Sequence, residues 1–153
     1  MPDSLSAGTK APPFSLPSTN GDVSLDDLLR DGRLVLAFYT EDGTPTCQTE
    51  IAMLKDAQEM LREFGASVIA VSADSVASHE AFAERLGGVP FPLASDASLA
   101  AARAYGVVDE GDPRRSRRAI FVIDRDGTVL LALHFQPNSL AQIEAIFTVL
   151  GAE

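Results

Sequence analysis

Cys47 is the only cysteine in the chain, and its sequence neighbours are of the kind that make a sulfur reactive. Leu34 to Tyr39 is an unbroken apolar run of strand length, as expected of a central strand buried on both faces. Asp42-Gly43 breaks that run, and Thr44-Pro45 supplies a capping hydroxyl and a proline at the first helical position. From Ile51 onward, Leu54, Ala57, Leu61 and Phe64 recur near one face of a helix. The pattern therefore predicts Cys47 in the first helical turn, just past the end of a buried strand. Free backbone N–H groups and the positive end of the helix dipole favour a thiolate there.

The size of the effect can be bounded. An ordinary cysteine is only a few per cent ionised at neutral pH, and a depression of roughly two pKa units is needed to make it mostly thiolate. A helix terminus contributes about 0.3–1 kcal/mol, or about 2 when partly buried, against about 2.7 required. A second cation must help, and a guanidinium is the natural choice. The alternative reading is a small buried hydrophobe, the usual role of a lone cysteine.

Other chemistries lack their residues. His79 and His134 are far apart in sequence, and no cluster has metal-ligand spacing. There is no Gly-x-Ser-x-Gly elbow, phosphate loop or dinucleotide fingerprint, and Asp124 to Gly127 reads as a hairpin turn rather than a calcium loop. Cys-x-x-Cys is absent, which excludes ordinary dithiol exchange. A formal net charge of −10 argues against nucleic acid or an anionic membrane as the main partner. No apolar stretch approaches membrane-spanning length and no signal peptide is evident. One cysteine cannot form an internal disulfide, which suits a reducing cytoplasm.

The segment Thr44-Pro45-Thr46-Cys47 followed by Glu50 resembles the active-site segment of peroxiredoxins (the AhpC/TSA superfamily), whose pattern is Pro-x-x-x-Thr-x-x-Cys, often with Glu three residues on. The nearest subfamily is the bacterioferritin-comigratory or Q type, with the one-cysteine hydroperoxide reductase E type second. Thr44, Cys47 and Glu50 match; where the family carries the proline that packs over its cysteine, this chain has Thr40. The segments Phe91-Pro92-Leu93 with Ser95-Asp96, and Tyr105-Gly106-Val107, also resemble family features.

The resemblance implies a thiol peroxidase acting on hydrogen peroxide and organic hydroperoxides, with no cofactor or metal. It implies Cys47 as nucleophile, with Thr44 and the Cys47 N–H contacting the peroxide oxygens. Arg118, just before Ala119 to Asp124, matches the arginine that faces the cysteine, and Glu50 would accept from it. Solvated readings remain beside these for Glu50 and for Arg114, Arg115 and Arg117. The second cysteine of many Q-type members corresponds to Ala52, so an external thiol (thioredoxin, glutaredoxin or a low-molecular-weight thiol) must restore Cys47. A monomer or homodimer is expected. A non-catalytic redox sensor or binding protein is the alternative, and Thr40 is its best argument.

The elements that must position these groups form one domain over 1–153, an α/β thioredoxin-like fold with a central mixed sheet flanked by helices and an N-terminal β-hairpin. The hairpin turns at Asn20-Gly21-Asp22 with Val23 to Leu25 as its second strand, and a short helix covers Asp26 to Arg30. Ser67 to Ser72 is a second buried strand, parallel to the first through a right-handed crossover. Ser75 to Leu86 reads as a helix with Ala77, Ala81, Phe82 and Leu86 inward; a second helix spans Ser98 to Tyr105. Arg118 to Asp124 and Thr128 to Phe135 form a hairpin, and Pro137 to Leu150 a final helix burying Leu140, Ile143, Phe147 and Leu150.

Overall fold

The computed structural model describes residues 5–134 and 139–151, with the side chains of 139–143 outside the description. A two-stranded antiparallel hairpin, β1 (Ser15–Leu16) and β2 (Val23–Ser24), leads into α1 (Leu25–Arg30). There follow β3 (Arg33–Phe38), α2 (Pro45–Glu63), β4 (Ala66–Ser72), α3 (Val76–Arg85), β5 (Leu93–Ser95), α4 (Ala100–Ala104), β6 (Ala119–Ile123), β7 (Val129–His134) and α5 (Ser139–Gly151). The main sheet runs β5-β4-β3-β6-β7, with β3, β4 and β5 parallel and β6 and β7 antiparallel to their neighbours. This is the mixed sheet, flanked by helices, that the sequence pattern led us to expect.

The strand at its centre explains why its sequence is apolar without alternation. Val35, Ala37 and Tyr39 point to one face, where they pack with Ile51, Leu54 and Leu61 of α2, Phe82 of α3 and Ile146 and Leu150 of α5. Leu34, Leu36 and Phe38 point to the other, against Leu25 of α1, Ala101 and Ala102 of α4 and the Tyr105 ring. Both faces of β3 are buried, so period-two alternation still exists but both phases are hydrophobic.

Four expectations shift. On α3 the inward face is His79, Phe82 and, partly, Ala83 and Leu86, while Ala77 and Ala81 are exposed. Alanines specify a helix face weakly, and the polar histidine that belongs to the stripe hid its true phase. Phe64 caps the end of α2 and is 37% exposed, its ring against Phe147. α4 is shorter than expected, beginning after Leu99, whose backbone is left-handed (φ 63°). Ile146 joins Leu150 in the core, Phe147 is half-buried, and Leu140 and Ile143 lie outside the described side chains. Phe135 and Pro137 are likewise outside the described residues. Among the described residues no helix is long and apolar enough to cross a membrane.

The end of the sheet away from Cys47 is held by two glycines. Gly32 (φ 138°) enters β3 with the Gly65 carbonyl oxygen where a Cβ would clash, and that same carbonyl accepts from the Arg33 N–H at 2.9 Å. Gly65 (φ 75°) ends α2. Gly32→Ala is therefore expected to cost about 2–3 kcal/mol of stability, from a left-handed backbone and a backbone clash together. A shifted urea midpoint with an unchanged slope would report it.

Candidate active site

The site is built at the carboxyl end of β3, where the chain turns into α2. Thr44 caps the helix with extended backbone, and Pro45 follows at the first helical position. Cys47 lies in the first turn, as expected, and is 1% exposed. Its N–H points to the Thr44 hydroxyl oxygen at 3.4 Å. The two groups expected to contact peroxide thus also touch each other. Because Thr44 Oγ1 accepts in this contact, its own hydroxyl proton remains free to donate outward.

Thr40 contributes more than its place in the pattern suggests. Its Oγ1 stands 3.0 Å from Cys47 Sγ, and among the described residues the two are each other's only side-chain hydrogen-bond partners. The residue standing where proline was expected therefore brings a hydroxyl to the sulfur. Thr40 also lines a cavity of about 400 Å³ together with Glu41, Asp74, Arg114 and Arg115.

Glu50 lies one turn beyond Cys47 on the same helix face and is 2% exposed, so the solvated reading fails. Neither carboxylate oxygen has a hydrogen-bond partner. The expected hydrogen bond to Arg118 is thus absent, and the coupling is through space. Burial pushes the Glu50 carboxyl up to about 7, against a smaller opposing pull from the Arg118 guanidinium. Arg118 is half-buried and, among the described residues, makes no hydrogen bond or ion pair. Its placement follows from strand pairing. Phe38 pairs with Ala119 in the antiparallel ladder, so one step further sets Arg118 across from Tyr39, at the strand end that leads to Cys47.

The neighbouring arginines are not simply solvated. Arg115 reaches Glu41 at 2.6 Å and Asp109 at 3.2 Å, while Arg114 pairs with Asp112 at 3.0 Å in the open. Arg117 donates to the Gly106 carbonyl at 3.0 Å and meets His134 Nδ1 at 3.1 Å.

One group of functional interest was missed in the sequence. Asp42, in the turn between Tyr39 and Thr44, accepts from the Tyr39 hydroxyl (2.6 Å) and the Ser78 hydroxyl (2.7 Å) and faces His79 Nδ1 at 2.8 Å. Its N–H donates to Asp74 Oδ2, which also accepts from Ser72. Burial works to raise the Asp42 carboxyl, but hydrogen bonds from His79, Tyr39 and Ser78 outweigh it and hold it below its usual range. His79 is fully buried, and its Nε2 stands 2.9 Å from the Ala94 carbonyl, which can only accept. Donor atoms of Asp42, Asp74 and His79 lie within 4.8 Å of one another, as metal ligands can, yet each is already engaged by protein. The cluster is an internal brace tying the turn to α3, β4 and β5. Its only signal in the sequence is a histidine on the apolar stripe of a helix.

Comparisons with known proteins identify the family. The family model described as AhpC/TSA matches residues 7–132. The chain belongs to the AhpC/TSA family of peroxiredoxins. A Coxiella burnetii chain carrying the peroxiredoxin name bcp is 34% identical over 132 residues, which cover 82% of this chain and 86% of that one. The chloroplastic peroxiredoxin Q of Sedum lineare is 33% identical over 88% of this chain and 73% of its own length. The crystal structure of the peroxidoxin BcpB from Mycobacterium tuberculosis superposes with a TM-score of 0.89 at 31% identity, covering 97% of each chain. The Q-type likeness and the thioredoxin-like architecture both stand.

Glu50 yields a pH test. A carboxyl that ionises near 7 when folded, against an ordinary 4.5, holds its proton more tightly in the native state. Its contribution to stability is full below about pH 4.5 and is lost as pH rises to about 7, an effect of about 3 kcal/mol. Glu50→Gln should remove that slope, so the stability difference between variant and wild type should change by about this amount between pH 4.5 and 7 in urea titrations.

Proposed function

We infer that the chain is a thiol-dependent peroxidase that reduces hydrogen peroxide and organic hydroperoxides through a cysteine sulfenic acid. The observation that carries this reading is the placement of its lone cysteine: buried in the first turn of α2, behind the Thr44 cap and against the Thr40 hydroxyl. Family membership gives that geometry its chemistry.

The step balances with these groups. The Cys47 thiolate attacks one peroxide oxygen, an S–O bond forms, the O–O bond breaks, and the other oxygen leaves as hydroxide or alkoxide and takes up a proton. Sulfur is oxidised by two electrons and the peroxide is reduced by two. Thr44 donates its hydroxyl proton to a peroxide oxygen and helps orient it. The Arg118 guanidinium, at the strand end beside this turn, stabilises the thiolate and the negative charge that builds on the leaving oxygen. Glu50 sets the electrostatic balance around Arg118 from its buried place on α2.

Regeneration needs a thiol from outside. One thiol condenses with the sulfenic acid to a mixed disulfide and water, and a second thiol releases Cys47 as the free thiol with formation of the reductant's disulfide. Thioredoxin, glutaredoxin or a low-molecular-weight thiol fits this role. We read residues 1–153 as one peroxidase domain, a monomer or homodimer working in a reducing compartment such as the cytoplasm.

Cys47→Ser should abolish peroxide-dependent oxidation of an added thiol, and unchanged peroxide consumption would remove the enzyme assignment. Arg118→Met should slow oxidation of the reduced protein by about 10²-fold in stopped-flow measurements, the loss typical of one preorganised charge-stabilising group.

A further inference from the structure

We propose that the Thr40 hydroxyl is a catalytic hydrogen-bond donor to the Cys47 sulfur. The proposal rests on the peroxidase reading for its consequence, but the contact itself is independent of it. Three observations carry it.

The first is distance. Oγ1 lies 3.0 Å from Sγ, a short separation for a bond to an atom as large as sulfur. The second is exclusivity. Among the described residues the hydroxyl has no other partner, and the N–H of Cys47 turns to Thr44 rather than to its own sulfur. The third is how firmly Thr40 is held. The Tyr39 N–H donates to the Val71 carbonyl at 3.0 Å, and the Tyr39 carbonyl accepts from Ser116 at 2.7 Å. On the other side the Asp42 N–H is fixed on Asp74 at 2.8 Å. A β-branched side chain between two such anchors has few rotamers open to it.

The direction of the bond follows from its chemistry. A thiolate has no proton, so in the ionised state only the hydroxyl can donate. With Cys47 1% exposed, water contributes little solvation, and a donor fixed in the protein replaces it. A proline at this position could not do this, because its ring carries no donor.

Donation acts on the sulfur in two opposing ways. It favours the thiolate over the thiol, and it also draws charge from sulfur, so each thiolate is a weaker nucleophile. A hydrogen bond to a charged acceptor shifts the ionisation by about one pH unit. A change of that size alters the nucleophilicity of each thiolate about threefold in the other direction.

The two effects give the experiment its diagnostic. In Thr40→Val the midpoint of the 240-nm thiolate absorbance should move up by about one pH unit relative to wild type. Oxidation by hydrogen peroxide should become about threefold slower at pH values below both midpoints and about threefold faster above both. The two pH–rate profiles then cross. Thr40→Ser, which keeps the hydroxyl, should restore the wild-type midpoint and profile. If Thr40→Val does not fold, Thr40→Ala removes the same donor without added bulk and is read in the same way.

An unchanged midpoint in the variant overturns the proposal, as does a rate reduced by one constant factor at every pH, which would mark a purely structural role. A wild-type protein that reacts with peroxide no faster than a free thiol would instead sink the peroxidase reading. The absorbance midpoint would still decide whether Thr40 donates.

Discussion

The structure depends on keeping an ionisable sulfur out of water while giving it substitutes for water. Burying a charge is costly unless dipoles or counter-charges replace its solvation. At Cys47 the start of α2 and the Thr40 hydroxyl supply such dipoles, and Arg118 stands just before β6 at the strand end that leads to the same turn. Each lies on a different element, and each is where it is because β3 is flanked on both sides by paired strands. The parallel ladder with β4 and the antiparallel ladder with β6 fix the end of β3 to within a residue. The turn that begins at Thr40 inherits that precision.

A second constraint keeps the turn from relaxing. Five residues separate the end of β3 from the Thr44 cap, and a loop of that length would ordinarily be among the softer parts of a fold. Here Asp42 is held by Tyr39, Ser78 and His79, and its backbone by Asp74. Two carboxylates and an imidazole packed so closely resemble a metal site in composition, but their lone pairs and protons are spent on one another. The polar network acts as a clamp, and a clamp on Asp42 is a clamp on Thr40 and Thr44. This is preorganisation of the kind a buried reacting group needs, with aligned dipoles supplied by the protein itself.

How much of this could be read from the sequence varies with the physics involved. The central strand, the helix start at Thr44-Pro45 and the position of Cys47 follow from local rules of burial and capping, and all are legible. Arg118 could be singled out only by family likeness, because no local rule relates it to residues about seventy positions away. The burial of Glu50 was not legible: a carboxylate near the start of a helix usually faces water, and only the packing of α2 against the sheet turns it inward. His79 was discounted for having no histidine nearby in sequence, although its partners are aspartates brought close by folding. On α3, alanines at 77 and 81 mimicked an inward stripe that belongs to residues 79 and 82. At Glu50 and on α3 a polar residue occupied a buried position, the circumstance in which hydrophobic periodicity carries least information.

The depth of the sulfur also sets terms for the half of the cycle that restores it. A hydroperoxide presents a slender end of two oxygens, whereas a reductant must bring its own sulfur to bonding distance of a residue that is 1% exposed. With no second cysteine in the chain to act as intermediary, oxidised Cys47 can meet a partner only by receiving something as narrow as its oxidant or by unwinding the first turn of α2 to come outward. The brace at Asp42 opposes such unwinding. The same bonds that ready the protein for the oxidant therefore also resist any outward movement of Cys47 with its helical turn.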